Sequence, residues 1–261
     1  MEFGLGIYAL AVAAGLIAGV INTLAGSGSL VALSALLFMG LPATVANGTN
    51  RLGVAIQTAV SLVTIRAHGA VKPSGMGWIV GAVTVGALFG AWLATGIDPD
   101  ALEWIIVAVL WAMLFVIFFK PKSWLRKKSD ESKSRPKTWK IVVFGLVGAW
   151  GGFLQAGVGI LLLVALVMAA GKDIIEATTV KLVAVMVYTV GTLPIFIAAD
   201  QVHWELGLVM GVGQGIGGWL GARFAMTSER APVWIRRLLV VVIVGSAVEL
   251  MGLGPWLRGL I

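Results

Sequence analysis

Ten apolar runs take up most of the chain, at roughly residues 6–24, 29–40, 43–66, 75–95, 101–119, 140–155, 159–171, 174–199, 204–225 and 232–252. Such runs leave few choices of structure. A hydrocarbon core of about 30 Å takes about 20 helical residues to cross, and every backbone N–H and C=O inside it must be paired within the protein. Helices satisfy that demand segment by segment. Nor is there enough polar surface for a soluble alternative, because 59% of residues are apolar, 12% are charged and the mean hydropathy is +0.99. The fold expected is an all-α polytopic membrane protein. Residues 1–25 read as mature structure rather than a leader, since they carry Glu2 in place of a basic start and their glycine-bearing end recurs later in the chain.

Several chemistries are excluded at once. The chain has no cysteine and two distant histidines, His68 and His203, so neither thiol chemistry nor a clustered metal or haem site is expected. No phosphate-binding loop motif and no paired acid–base constellation occurs, and no catalytic residue, metal or cofactor is expected. Nine Lys/Arg lie between Lys120 and Lys140 against Asp130 and Glu131, a local excess equal to the net charge of +7 of the whole chain. A short basic loop between two apolar spans reads as a cytoplasmic loop, not as a nucleic-acid surface.

The chain also repeats itself. A gapless shift of 131 residues lays "AGSGSL" (25–30) on "AGVGIL" (156–161), and the same shift pairs Gly40 with Gly171, Ala46 with Ala177, Thr58 with Thr189, and Gly86, Gly90 and Ala91 with Gly217, Gly221 and Ala222. The boundaries that follow are transmembrane repeat 1 at 1–119, a basic linker at 120–140, and repeat 2 at 141–261. Each repeat carries five apolar segments. Five is odd, so the second repeat is expected to be inverted in the membrane. Segments 29–40 and 159–171 are too short to cross unaided, and each is expected to be one arm of a glycine-broken re-entrant or kinked hairpin. With the basic loop inside, Asp98, Asp100 and Glu103 fall outside and Arg66 and Lys72 inside; if the hairpin 140–171 returns to its starting side, Asp200 and Glu205 fall outside, Arg223, Arg230, Arg236 and Arg237 fall inside, and both termini face outside, whereas counting that hairpin as a single crossing inverts the second-half assignments.

The broken hairpins are the first candidate site. Glycines let the backbone turn sharply, and the helix that restarts after the turn points unpaired N–H groups and a positive dipole end inward. Two opposed copies would gather backbone donors for an anion from Gly26, Ser27, Gly28 and Ser29 in one half and Gly157 and Gly159 in the other. The alternative is that the small residues serve close helix packing. A polar stripe then follows each hairpin: Asn47, Asn50, Gln57, Thr58 and Ser61 against Thr178, Lys181, Tyr188, Thr189 and Thr192 at the equivalent positions. Arg51 lies beside the first stripe, with Leu182 as its counterpart. Lys181 is some seven residues into its helix, on the order of 10 Å from the start, where an ionisable side chain either snorkels or takes part in function. The substrate-binding candidates are therefore Gly26, Ser27, Gly28, Ser29, Asn47, Asn50, Arg51, Gln57, Gly157, Gly159, Thr178, Lys181 and Tyr188.

At "AGVINTLAGSGSLVALSALLFMGLPATVANGTNRLG" (18–53) and "GAWGGFLQAGVGILLLVALVMAAGKDIIEATTVKLVAVM" (148–186) the sequence resembles the sulfite exporter TauE/SafE family of membrane transporters. With "GAVTVGALFGAWLA" and "GVGQGIGGWLGARFA" the resemblance covers most of the chain. It implies a carrier for a small sulfur-containing or organic anion such as sulfite, thiosulfate or sulfoacetate, in the plasma (inner) membrane. The partners expected are that anion, membrane lipid and a driving gradient, with protons and sodium both open as the coupling ion and the oligomeric state undetermined. A passive anion channel and a non-transporting membrane assembly factor are the alternative readings.

Overall fold

The structure is a computed structural model that describes residues 4–69, 76–106, 108, 138–171 and 174–228. The expected linker at 120–140 lies almost wholly outside the described residues, as does the last apolar run at 232–252. Among the described residues every regular element is a helix, with no strand. The helices are α1 (Leu5–Leu24), α2 (Gly28–Phe38), α3 (Ala43–Ala67), α4 (Gly77–Thr95), α5 (described at 99–106), α6 (Thr138–Phe153), α7 (Val158–Met168), α8 (Ile174–Ala198) and α9 (Trp204–Thr227).

Helices α1, α4 and the 176–198 part of α8 are long and apolar enough to cross a membrane. Helices α3 and α9 have the length, at 25 and 24 residues, but α3 carries Asn47, Asn50, Arg51, Gln57, Thr58 and Ser61, all fully buried. The polar stripe therefore faces protein. Exposed positions are apolar instead, among them Val85, Phe89, Trp92, Leu146 and Val212, as a lipid-facing surface requires. Helices α2 and α7 have eleven residues each, a rise of about 16 Å and so roughly half of a hydrocarbon core.

Small residues decide which helices touch. A Cβ on Gly15 or Gly19 of α1 would strike the backbone of Met210 or Gln214 in α9, and one on Gly213 or Gly217 would strike Val12 or Leu16 in return. The same four-residue steps join α4 to α6, where Gly86 and Gly90 meet Gly145 and Ala149, and Gly148 and Gly152 meet Val83 and Ala87. Glycines four apart let the backbones approach with no side chain between them, so each pair runs parallel at close range. Helix α3 packs on α8 and α9, and α8 on α4. Two hydrogen bonds fix the ends of the bundle: Tyr8 Oη donates to the Glu205 carboxylate, and Gln201 Nε2 donates to Thr95 O at 3.1 Å. The start of α1, the end of α4 and the α8–α9 turn therefore share one end.

Candidate functional site

Helices α1 and α6 both stop inside the bundle, and a helix that ends there leaves carbonyls without partners. The last carbonyls of α1, from Asn22 and Thr23, accept from Lys181 Nζ at 3.2 and 2.9 Å. At the end of α6, Arg51 donates through Nη1 to Gly151 O at 3.5 Å and through Nη2 to Gly152 O, while Asn47 Nδ2 donates to Phe153 O at 2.7 Å. Arg51 also donates to Thr192 Oγ1 at 3.1 Å, and its guanidinium carbon lies 4.1 Å from the centre of the Phe196 ring. A cation from a long helix thus meets the negative end of each broken helix of the opposite half, which is where a positive charge is most stabilising. The 131-residue offset pairs Arg51 with Leu182, yet in space Arg51 and Lys181 take corresponding positions.

Beyond those ends the two turns meet. Gly26 has φ +86° and Gly157 has φ +69°, left-handed conformations that glycine adopts without strain. Gly159 N donates to Gly26 O at 3.1 Å. A Cβ on either glycine would run into the backbone of the other, so no side chain fits at this crossing. Here lies a small pocket of about 10 Å³, room for about one water molecule between the packed side chains. Gly26, Ser29, Gly159, Lys181 and Tyr188 line it, together with Asn22, Thr58 and Gln155 and an apolar wall of Val158, Leu182 and Val185. Its level is the middle of the long helices, since Thr58 and Val185 both lie well inside α3 and α8.

The electrostatics of the pocket follow from a short inventory. Lys181 is 1% exposed, and no carboxylate of the described residues accompanies its ammonium. An ammonium has three donors and two are taken by Asn22 O and Thr23 O, leaving one. The Tyr188 hydroxyl and the Gln155 carbonyl oxygen are buried and unpartnered, while Gln155 Nε2 donates to Thr189 Oγ1 at 2.9 Å. Such an arrangement suits a small anion with hydrogen-bonding capacity.

Five of the thirteen sequence candidates therefore line the pocket, namely Gly26, Ser29, Gly159, Lys181 and Tyr188. The other eight are placed differently. Ser27 is buried in the turn with its hydroxyl unpartnered. Gly28 presses α2 on α1, since a Cβ there would strike Ala18 O and Asn22. Gly157 precedes α7 in the left-handed conformation. Asn47 and Arg51 serve the end of α6, and Asn50 Oδ1 accepts from Gln214 Nε2 at 3.5 Å. Gln57 accepts from Asn22 Nδ2 at 2.8 Å and donates to Thr23 Oγ1 at 2.6 Å and Ser61 Oγ at 3.1 Å, which ties α1 to α3. Thr178 is half-buried near the start of α8, away from the pocket. Sequence reasoning missed Gln155 and Asn22. A glutamine inside "GGFLQAGVG" and an asparagine inside "GVINTLAG" were the available signals, each a strongly polar side chain just before a glycine turn.

Residues 11–250 match the family described as sulfite exporter TauE/SafE. A "Probable membrane transporter protein ORF9" from Sinorhizobium sp. is 29% identical over 91% of this chain and 90% of its own length. A "Probable membrane transporter protein" from Haemophilus influenzae is 27% identical over 92% and 93%, and "Probable membrane transporter protein YfcA" from Escherichia coli K12 is 25% identical over 87% and 83%. No solved structure matches the chain. With the family match spanning nearly the whole sequence, the chain belongs to the sulfite exporter TauE/SafE family of membrane transporters.

Proposed function

We propose that the pocket at the meeting of the two turns binds a small sulfur-containing or organic anion, of the sulfite, thiosulfate or sulfoacetate kind, and that the chain carries it across the plasma membrane by alternating access. One observation carries the reading: the Lys181 ammonium is buried in that pocket with a free donor and no carboxylate beside it. A buried charge without an opposite charge is costly, and an anionic ligand offsets that cost. The restarting helices α2 and α7 bring the N-terminal ends of their dipoles to the same place.

The reading includes two inverted repeats, 1–119 and 141–261, joined by a cytoplasmic linker at 120–140. It is supported by the matching order of helix lengths, with α2 and α7 at eleven residues and α3 and α8 at 25. It is supported too by the reciprocal packing of α1 on α9 and α4 on α6. Tyr8, Thr95 and Glu205 sharing one end of the bundle agrees with an outside N-terminus, and inversion places the C-terminus outside as well.

Lys181 variants test the site. A charge-assisted hydrogen bond is worth about 1.5–3 kcal/mol, so Lys181→Gln should weaken anion binding by roughly ten- to a hundredfold and Lys181→Arg by less. Titration of the purified protein with sulfite, thiosulfate, sulfoacetate and simple carboxylates reads this out directly. Unchanged affinity in a folded Gln variant rejects the pocket as the binding site.

A further inference from the structure

We propose that Gln155 and Tyr188 set the order in which this pocket prefers anions, ranking those that carry a hydroxyl donor beside the anionic group above those, such as thiosulfate and sulfoacetate, that carry none. The inference rests on the anion-binding reading above and goes further by assigning the two neutral side chains. Both line the pocket, at 1% and 0% exposure, and the Gln155 carbonyl oxygen and the Tyr188 hydroxyl have no protein partner. Buried polar atoms are nearly always paired, and an unpaired one is costly, so two in one pocket mark places that a ligand fills.

Their chemistry differs, and the difference specifies the ligand. Lys181 has one donor left and Tyr188 has one, so an anionic group can accept from both. Gln155 is turned the other way. Its amide nitrogen is engaged by Thr189 Oγ1 at 2.9 Å, which leaves its carbonyl oxygen toward the pocket as an acceptor. An acceptor beside an anion repels a second negative charge and calls for a ligand O–H. Gln155 lies in the turn between α6 and α7 with φ 59°, in the left-handed region.

The test uses two pairs of monoanions that differ by a hydroxyl in place of a methyl: glycolate against propionate, and isethionate against propane-1-sulfonate. Affinities are measured by titration calorimetry on the purified full-length protein in detergent. The wild-type protein should prefer the hydroxylated member of each pair by about tenfold, because the other leaves Gln155 unpaired. Gln155→Met should reduce that ratio to within about twofold. Tyr188→Phe keeps the ring and removes a hydroxyl that lies beside the Gln155 and Thr189 side chains, so in a variant that melts like the wild type it should weaken both members by the same several-fold factor and keep the ratio. Equal affinities in the wild-type protein, an unchanged ratio in Gln155→Met, an equal loss of both members there, or an unaltered Tyr188→Phe would each overturn the assignment. Binding of all four anions without preference defeats this inference alone; binding of none of them, nor of sulfite, thiosulfate or sulfoacetate, defeats the anion-binding reading beneath it.

Discussion

Replacing Gly159 by alanine isolates the contact on which the centre of the protein is built. The added Cβ would strike Gly26 Cα and would lie 2.7 Å from its O and 2.9 Å from its C. All three are backbone atoms of a turn fixed by its own left-handed φ. Nothing flexible stands there to yield, so the turns must separate. Overpacking of this kind costs about 1–3 kcal/mol. Separation also stretches the Gly159 N to Gly26 O hydrogen bond of 3.1 Å, which adds about 1 kcal/mol. The total of roughly 2–4 kcal/mol corresponds to a fall in melting temperature of about 5–15 °C for a chain of this size. Gly81→Ala is the control, because that position is exposed on α4 with nothing within 4 Å of an added Cβ, and it should leave stability unchanged or raise it by up to about 1 kcal/mol. Thermal unfolding of both variants in the same detergent, followed by circular dichroism, makes the comparison. A Gly159→Ala protein that melts within a degree or two of the wild type would refute the reasoning, since it would mean that the turns do not meet backbone to backbone.

Three further outcomes are expected. Arg51→Met should destabilise the protein by about 2–5 kcal/mol, because it leaves the carbonyls at the end of α6 and the Thr192 hydroxyl without donors, and Arg51→Lys should recover part of that loss; chemical denaturation of the two variants measures both. Cysteines introduced at Ser27 and Val158, in a chain that has none of its own, should be joined by a short bismaleimide, and failure to cross-link in folded protein counts against the meeting of the turns. Reporter fusions should place residues 120–140 in the cytoplasm and both termini outside, whereas both termini inside on the same side as a cytoplasmic 120–140 loop would exclude the proposed inversion.

Local physics made much of this protein legible in its sequence. Hydropathy and run length required helices, and they place the second apolar run at 29–40 and the long one at 174–199, where the structure has Gly28–Phe38 and Ile174–Ala198. Helical spacing put Asn47, Gln57 and Ser61 on one stripe, and that stripe is buried. Glycine chemistry located the turns at Gly26 and Gly157. The partners of those polar residues were not legible. Arg51 and Gly151 stand a hundred residues apart in the chain, and Lys181 and Asn22 are 159 apart, so no window of sequence contains both donor and acceptor. A polar side chain inside a membrane announces that it needs a partner, and only the tertiary packing says whether that partner is a helix end, a neighbouring amide or an empty place. Gln57 and Gln155 show the difference. Both are fully buried glutamines near the pocket; packing of α1 against α3 saturates the first with Asn22, Thr23 and Ser61, while the turn after α6 leaves the carbonyl oxygen of the second open.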